Sequence, residues 1–302
     1  MGTRELQSPP SMLPLFARAG AAMIPGASKL PFIGGGGGRD VPDLTLRLTD
    51  ASIDPDRLSA YNRVCGFDLR DAIPPTYPHI LAFPLQLSLM TDPSFPFPAI
   101  GLVHIANRIT QHRAIRSSER LDITVRATPL EPHPRGRQFS LLSEARVGDE
   151  LVWEEVSTNL RRGGGSENGA AKGPGSDLPK AEDLPATATW TLGGDLGRRY
   201  GSVSGDLNPI HMHPLSARLF GFKSAIAHGM WTKARCLGAL QARLPDALTV
   251  EVAFKKPILL PGKVEFCEAE EPAAAFDVKF GVRDTGKGRS HLDGRAFSGA
   301  GT

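Results

Sequence analysis

With 302 residues, 40% hydrophobic and 22% charged, the chain has room for two domains and the composition of a globular protein. A formal net charge of +3, with Lys and Arg spread along the chain, gives no electrostatic case for nucleic acid or an anionic membrane as partner. The three cysteines (Cys65, Cys236 and Cys267) lie far apart and form no C-x-x-C pair, so no disulfide framework is expected and a reducing, cytoplasmic setting is the simplest.

No apolar run reaches the roughly 20 residues that span a bilayer. No secretory leader is read at the N-terminus, and the terminal S-G-A-G-T is not a peroxisomal signal. Residues 1–42 read as a flexible N-terminal segment, punctuated by Pro and by five glycines from Gly34 to Gly38. Those glycines lack the G-K-[ST] ending of a phosphate loop.

From residue 43 the pattern becomes regular. Leu44, Leu46 and Leu48 alternate with polar residues, as in a strand with one buried face. Asp54-Pro55 opens a helix that stops near Gly66. Residues 79–90 form an apolar, buried helix interrupted by Pro84, which sets either a kink or an early helical position. Strands are expected at about 100–114, 119–130, 137–147 and 151–160, joined by turn residues. Residues 163–182 are Gly-rich and poor in apolar side chains, hence a linker.

The same order then restarts. A strand is expected at 187–192, helices at 195–203, around 215–220 and at 228–244, and strands at about 248–254, 263–270, 275–282 and 291–297. The halves can be overlaid: Y-N-R-V-C-G-F from Tyr61 faces Y-G-S-V-S-G-D from Tyr200, and His79 faces His228. Phe67 stands where Asp206 stands. Twelve steps separate Phe67 from His79, whereas twenty-two separate Asp206 from His228, so the first half lacks the segment carrying Asn208 and His211. We read this as an internal duplication.

The candidate site is the segment Y-G-S-V-S-G-D-L-N-P-I-H, from Tyr200 to His211. Gly205 permits a sharp turn, Pro209 lacks an N–H, and Asn208 before it is pushed toward extended backbone. The bend can bring the Asp206 carboxylate and the His211 imidazole to one spot, a pair suited to proton transfer near neutral pH. An Asx-turn capping an ordinary helix is the structural alternative. His211 and His213 form H-x-H, but no Cys or carboxylate is spaced to complete a zinc site, so no metal is expected. His213 reads as a surface residue or one just behind the site, and His79, His104 and His112 as ordinary polar positions. No serine-hydrolase or dinucleotide motif is present.

The aromatic residue, small-residue turn and G-D-x-N-P-hydrophobic-H order resemble the signature of the MaoC-like, or (R)-specific enoyl-thioester hydratase, family. The resemblance extends from Tyr200, Ser204, Gly205, Asp206, Asn208, Pro209, Ile210 and His211 to most of the chain after residue 43. It implies an α+β double hot-dog fold, two antiparallel sheets each wrapped around a central helix, paired within one chain. The N-terminal hot-dog would span 43–162 with a degenerate site, and the catalytic hot-dog 183–302.

The resemblance also implies reversible hydration of trans-2-enoyl thioesters, or dehydration of (3R)-3-hydroxyacyl thioesters, in fatty acid metabolism. Asp206 and His211 would form the catalytic dyad, Gly229 would offer an oxyanion-hole amide at a helix N-terminus, and Ser204, Gly205, Asn208 and Pro209 would shape the site. No cofactor is implied. The partner would be an acyl thioester of coenzyme A or acyl carrier protein, and the chain a monomer or homodimer. Phe67, Phe83, Phe95 and Phe97 are candidates to line an acyl groove, or else plain core. Rival readings are a non-catalytic acyl-thioester-binding subunit and a hot-dog thioesterase.

Overall fold

The computed structural model describes residues 2–22, 38–164, 174–271 and 274–298. In chain order the elements are β1 (Gly2–Leu6), α1 (Met12–Ala21), β2 (Leu44–Ala51), α2 (Pro55–Cys65), α3 (Tyr77–Met90), β3 (Val103–Gln111), β4 (Leu121–Ala127), β5 (Glu131–His133), β6 (Gly136–Val147) and β7 (Glu150–Arg162). They continue with a 3₁₀ turn (Ala181–Asp183), β8 (Ala186–Leu192), α4 (Leu196–Ser204), α5 (Pro209–Met212), α6 (Pro214–Leu219), α7 (Gly229–Leu240), β9 (Leu248–Phe254), β10 (Gly262–Glu270), β11 (Asp277–Asp284) and β12 (Ser290–Phe297).

Residues 1–52, 78–105 and 119–173 make one compact unit; residues 53–77, 106–118 and 174–302 make the other. In the first unit the strand order is β1-β2-β4-β6-β7, with β5 paired to β6. Helix α3 is fastened to this sheet, and most of its residues from Pro78 are buried. A helix apolar on every side must lie inside the protein. Its two buried polar side chains, His79 and Gln86, therefore need partners in the sheet. The His79 Nδ1 lies 2.7 Å from Glu155 Oε1 on β7. Gln86 Nε2 donates to Glu155 Oε2 at 2.8 Å and to Ser143 Oγ on β6 at 2.9 Å. Pro84 sits in the helix interior.

His79 thus faces the Glu155 carboxylate inside the core, and His104 is engaged as well, its Nε2 lying 2.8 Å from Ser157 Oγ. Phe95 is completely buried against Phe139, with ring centroids 5.2 Å apart, and belongs to the core, not to a groove.

The N-terminal segment departs from the expected flexible chain. Residues 2–6 add to β2 as a parallel strand, Gly2 opposite Leu44 and Leu6 opposite Leu48. Helix α1 follows and buries Leu15 and Ala19. The reason is tertiary: β2 offers a free ladder of N–H and C=O groups, which any extended chain can satisfy. Gly34 to Gly37 and residues 165–173 of the expected linker lie outside the described residues. The end of that linker is anchored, since Ala181 N–H donates to Asp293 Oδ1 at 2.8 Å.

In the second unit the order is β3-β9-β12-β11-β10-β8, where residues 106–111 of β3 pair antiparallel with β9. Helix α7 packs on this sheet. Its Lys233 is fully buried, and Nζ donates to Asn107 Oδ1 at 2.6 Å and to the Val250 carbonyl at 3.1 Å, fastening the helix to β3 and β9. Trp231 Nε1 donates to the Val64 carbonyl at 2.9 Å, tying α7 to the end of α2.

Helices α2 and α4 carry the two copies of the sequence repeat. Each ends in a left-handed glycine, Gly66 at φ 77° and Gly205 at φ 81°, a conformation open to glycine at little cost. Tyr61 and Tyr200 meet with ring centroids 6.2 Å apart, and Arg57 Nε donates to the Val203 carbonyl at 2.7 Å. Between α2 and α3 there is no counterpart of α5 and α6.

Candidate active site

The site grows from the turn that ends α4. With Gly205 left-handed, the chain reverses and Ser204 Oγ accepts the Asp206 N–H at 3.1 Å. Asp206 Oδ1 accepts the Asn208 N–H at 3.1 Å. Asn208 then caps α5, its Oδ1 accepting the Ile210 N–H at 3.4 Å, and Pro209 takes the first helical position, where a missing N–H costs nothing. Ser204, Gly205, Asn208 and Pro209 are therefore all parts of one bend. Gly197 lets α4 lie close to α5, because a Cβ there would collide with the His211 carbonyl.

The bend sets one side-chain oxygen or nitrogen of each of Asp206, His211 and His228 within 4.8 Å of one another. His211 is 8% exposed and His228 2%, whereas the Asp206 side chain keeps 26% of its surface. The Asp206 carboxylate is thus the water-facing member. His211 Nδ1 lies 2.8 Å from the Ile226 carbonyl. A carbonyl only accepts, so Nδ1 carries the proton and Nε2 keeps its lone pair. Burial lowers the His211 pKa below 6.5, against the opposing pull of Asp206 and of the Ile226 hydrogen bond. The ring is neutral at ordinary pH.

His228, which the sequence offers only as the counterpart of His79, joins the site; the signal that could have found it is the A-H-G-M run from Ala227 to Met230. The His228 ring stacks on His211 with centroids 3.7 Å apart and planes 25° apart. Its Nε2 donates to the Asp206 backbone carbonyl at 3.1 Å, and Tyr200 covers it with ring centroids 4.9 Å apart. Burial first, then neighbouring His211, push its pKa down to about 3. A neutral, hydrogen-bonded ring that cannot titrate near pH 7 serves as a backing plate for His211 and a tether for Asp206.

The Asp206, His211 and His228 cluster has donor types that metals accept. Exposed His213 caps α6, its Nδ1 accepting the Leu215 N–H at 3.1 Å. Cys65, Cys236 and Cys267 are buried free thiols whose pKa values burial raises, so they pack as small apolar groups.

Gly229 is the first residue of α7, and His228 precedes it with extended backbone, φ −67° and ψ 139°. The first N–H groups of a helix have no intrahelical acceptor, and the helix dipole favours negative charge beside them. A Cβ at Gly229 would lie 3.0 Å from Phe254 Cε1, so the bare glycine also makes room for that ring.

The depressed His228 pKa has a consequence for acid stability. Unfolded, the ring titrates at about 6.5; folded, at about 3. Above pH 6.5 both states are neutral and the folded state carries no penalty. As pH falls from 6.5 toward 3 the unfolded chain takes up a proton that the folded chain does not, so stability is lost across that window. Thermal unfolding from pH 8 to pH 4 should show a smaller decline for His228→Gln, which keeps a donor for the Asp206 carbonyl, than for the native chain.

Residues 180–280 match the profile of the MaoC like domain. The chain is 37% identical over 283 residues, 94% of its length and 96% of the relative's, to 3-hydroxyacyl-thioester dehydratase X of Mycobacterium tuberculosis. The crystal structure of HtdX of Mycobacterium tuberculosis superposes with a TM-score of 0.73 at 35% identity, covering 84% of this chain and 99% of that one. A conserved Mycobacterium tuberculosis protein with a double hotdog fold matches with a TM-score of 0.52 at 14% identity, over 86% of this chain and 95% of its own. Fold and relatives together define a double hot-dog dehydratase. The chain belongs to the MaoC-like dehydratase family. Among the described residues no helix is long and apolar enough to cross a membrane.

Proposed function

We propose that this chain dehydrates (3R)-3-hydroxyacyl thioesters and, in reverse, hydrates trans-2-enoyl thioesters, with Asp206 and His211 as the reacting pair. The observation that carries the reading is the His211 ring, its Nδ1 held by the Ile226 carbonyl and its Nε2 thereby left as an acceptor, clustered with the partly exposed Asp206 carboxylate. In hydration, Asp206 and His211 Nε2 hold one water. Nε2 takes a proton from it while the hydroxide adds to C3, and the imidazolium then gives that proton to C2. Dehydration runs through the same atoms backwards, with the proton leaving C2 and water leaving C3. Asp206 has one oxygen committed to the Asn208 amide, so we assign it to holding water and balancing the imidazolium. The negative charge that gathers on the thioester oxygen would be met by the Gly229 N–H.

The reading is tested with crotonyl-CoA, following loss of enoyl absorbance. Turnover by the native chain without release of free thiol supports it. Free thiol appearing in step with substrate loss would point to thioester cleavage instead.

The amide's share can be isolated. Gly229→Pro removes the N–H at a position where proline is tolerated, and extended His228 suits a following proline. Gly229→Ala brings the same crowding of Phe254 but keeps the N–H. Turnover of the proline variant should fall about 10²–10³-fold below that of the alanine variant, the usual cost of one oxyanion donor. Equal rates would remove Gly229 from the mechanism.

A further inference from the structure

Asp206 is the only acidic residue between Asp195 and Asp246, a stretch that holds seven Lys and Arg. Three of the seven serve the fold: Lys233 is buried, Arg235 lies 4.6 Å from the Trp190 ring centre, and Arg243 pairs with Glu268 and Glu270. Arg198 donates to the Met212 carbonyl at 3.2 Å. Arg199, Arg218 and Lys223 are exposed and form no ion pair among the described residues.

Arg218 and Lys223 lie on an excursion of the chain that begins and ends at the site. Its base is closed by Ile226 N–H donating to the Ile210 carbonyl at 3.1 Å, beside the Ile226 carbonyl that holds His211. It is pinned to the next loop by Leu260 N–H to the Ala225 carbonyl at 2.8 Å and by Ser224 Oγ to the Leu260 carbonyl at 2.6 Å. The excursion is therefore a fixed flap. Its helix α6 turns Leu215 and Leu219 outward, 63% and 85% exposed, and Leu259 on the pinning loop is 40% exposed. Leu219 is the most exposed large hydrophobic side chain among the described residues.

We propose that this flap is the docking surface for an acidic carrier protein that presents the acyl thioester to Asp206 and His211, an inference that rests on the dehydratase reading. Cations without internal partners, in a stretch almost free of carboxylates, repel basic surfaces and attract acidic ones. The small anionic carrier, coenzyme A, would be served by the cations alone. Outward leucines interleaved with the cations instead suit the apolar centre and charged rim of a protein interface. The flap carries no reacting group, yet its base holds the reacting imidazole, so a partner seated there delivers its tethered acyl chain beside the dyad.

The test compares crotonyl esters of an acidic acyl carrier protein, of coenzyme A and of N-acetylcysteamine, using the native chain, R218E/K223E and Leu219→Ser. We expect kcat/KM on the carrier-protein ester to fall about tenfold or more in R218E/K223E, as for rim charges that steer association, with the N-acetylcysteamine ester within about twofold of native. Leu219→Ser should lower only the carrier-protein value. An equal fall on all three esters, a fall on the coenzyme A ester as large as on the carrier, or no fall at all would each overturn the docking surface. If the native chain turns over none of the esters, the dehydratase reading fails. Docking is then judged by anisotropy of the fluorescently labelled carrier protein. Binding weakened by R218E/K223E keeps the surface, and absence of binding to the native chain removes it.

Discussion

His211→Asn is expected to lower kcat for enoyl-thioester hydration by about 10²–10⁴-fold, the usual contribution of a positioned acid–base group. Asparagine places its amide nitrogen near the position of the imidazole Nδ1, so the Ile226 carbonyl keeps a donor. What is lost is the Nε2 lone pair. The unfolding midpoint should therefore stay near native while turnover collapses, which separates chemistry from folding. His211→Ala would leave a buried carbonyl unsatisfied and confound the two. Asp206→Asn should bring a comparable loss, and the double variant should be little worse than either single one, because groups that act as a unit are not additive. The native pH profile should carry an acid limb below 6.5, since burial holds the His211 pKa down and only the neutral ring can accept a proton. Near-native turnover by His211→Asn would end the dyad assignment.

The second large effect is on stability and lies far along the chain from the signature. His79→Leu should destabilise the protein by about 1–3 kcal/mol, because it removes the imidazole 2.7 Å from the Glu155 carboxylate, 1% exposed, and leaves that buried oxygen short of a donor. Gln86 would remain as a donor to the other Glu155 oxygen. Replacing both partners, His79→Leu with Glu155→Leu, should recover most of the loss, since paired apolar residues carry no desolvation penalty. Gln86 Nε2 would still have Ser143 Oγ. Urea unfolding of the two single variants and the double variant gives the answer. If the double variant is no more stable than His79→Leu, the His79–Glu155 contact is not what holds α3 to its sheet.

How much could be read before any coordinates is clearest at the signature. G-D-L-N-P-I-H contains its own bend: a left-handed glycine, an Asx turn, a cap and a proline at the first helical position act within seven residues, so local chemistry suffices. Apolar periodicity likewise marked α3, α7 and the run of strands. The overlay of Tyr61–Phe67 on Tyr200–Asp206 anticipated the matched ends of α2 and α4, since a glycine at a helix terminus leaves the same mark wherever it occurs.

Other features depend on residues distant in the chain. His228 enters the site because α7 packs where the residue before its first turn meets the Asp206 turn, twenty-two positions earlier, and nothing in A-H-G-M specifies which ring it will stack on. Glu155 reads as one of many strand acids until β7 is folded against α3. The N-terminal strand was illegible because its order comes from the edge of β2, not from its own sequence. Backbone turns, caps and periodic faces are written in neighbouring residues, so the amino-acid sequence by itself determined where this chain bends and which faces it buries. Partners for buried charges, the stacking of one imidazole on another and the fate of a sheet edge are set by which surfaces come to rest against each other, and only the tertiary structure decided those.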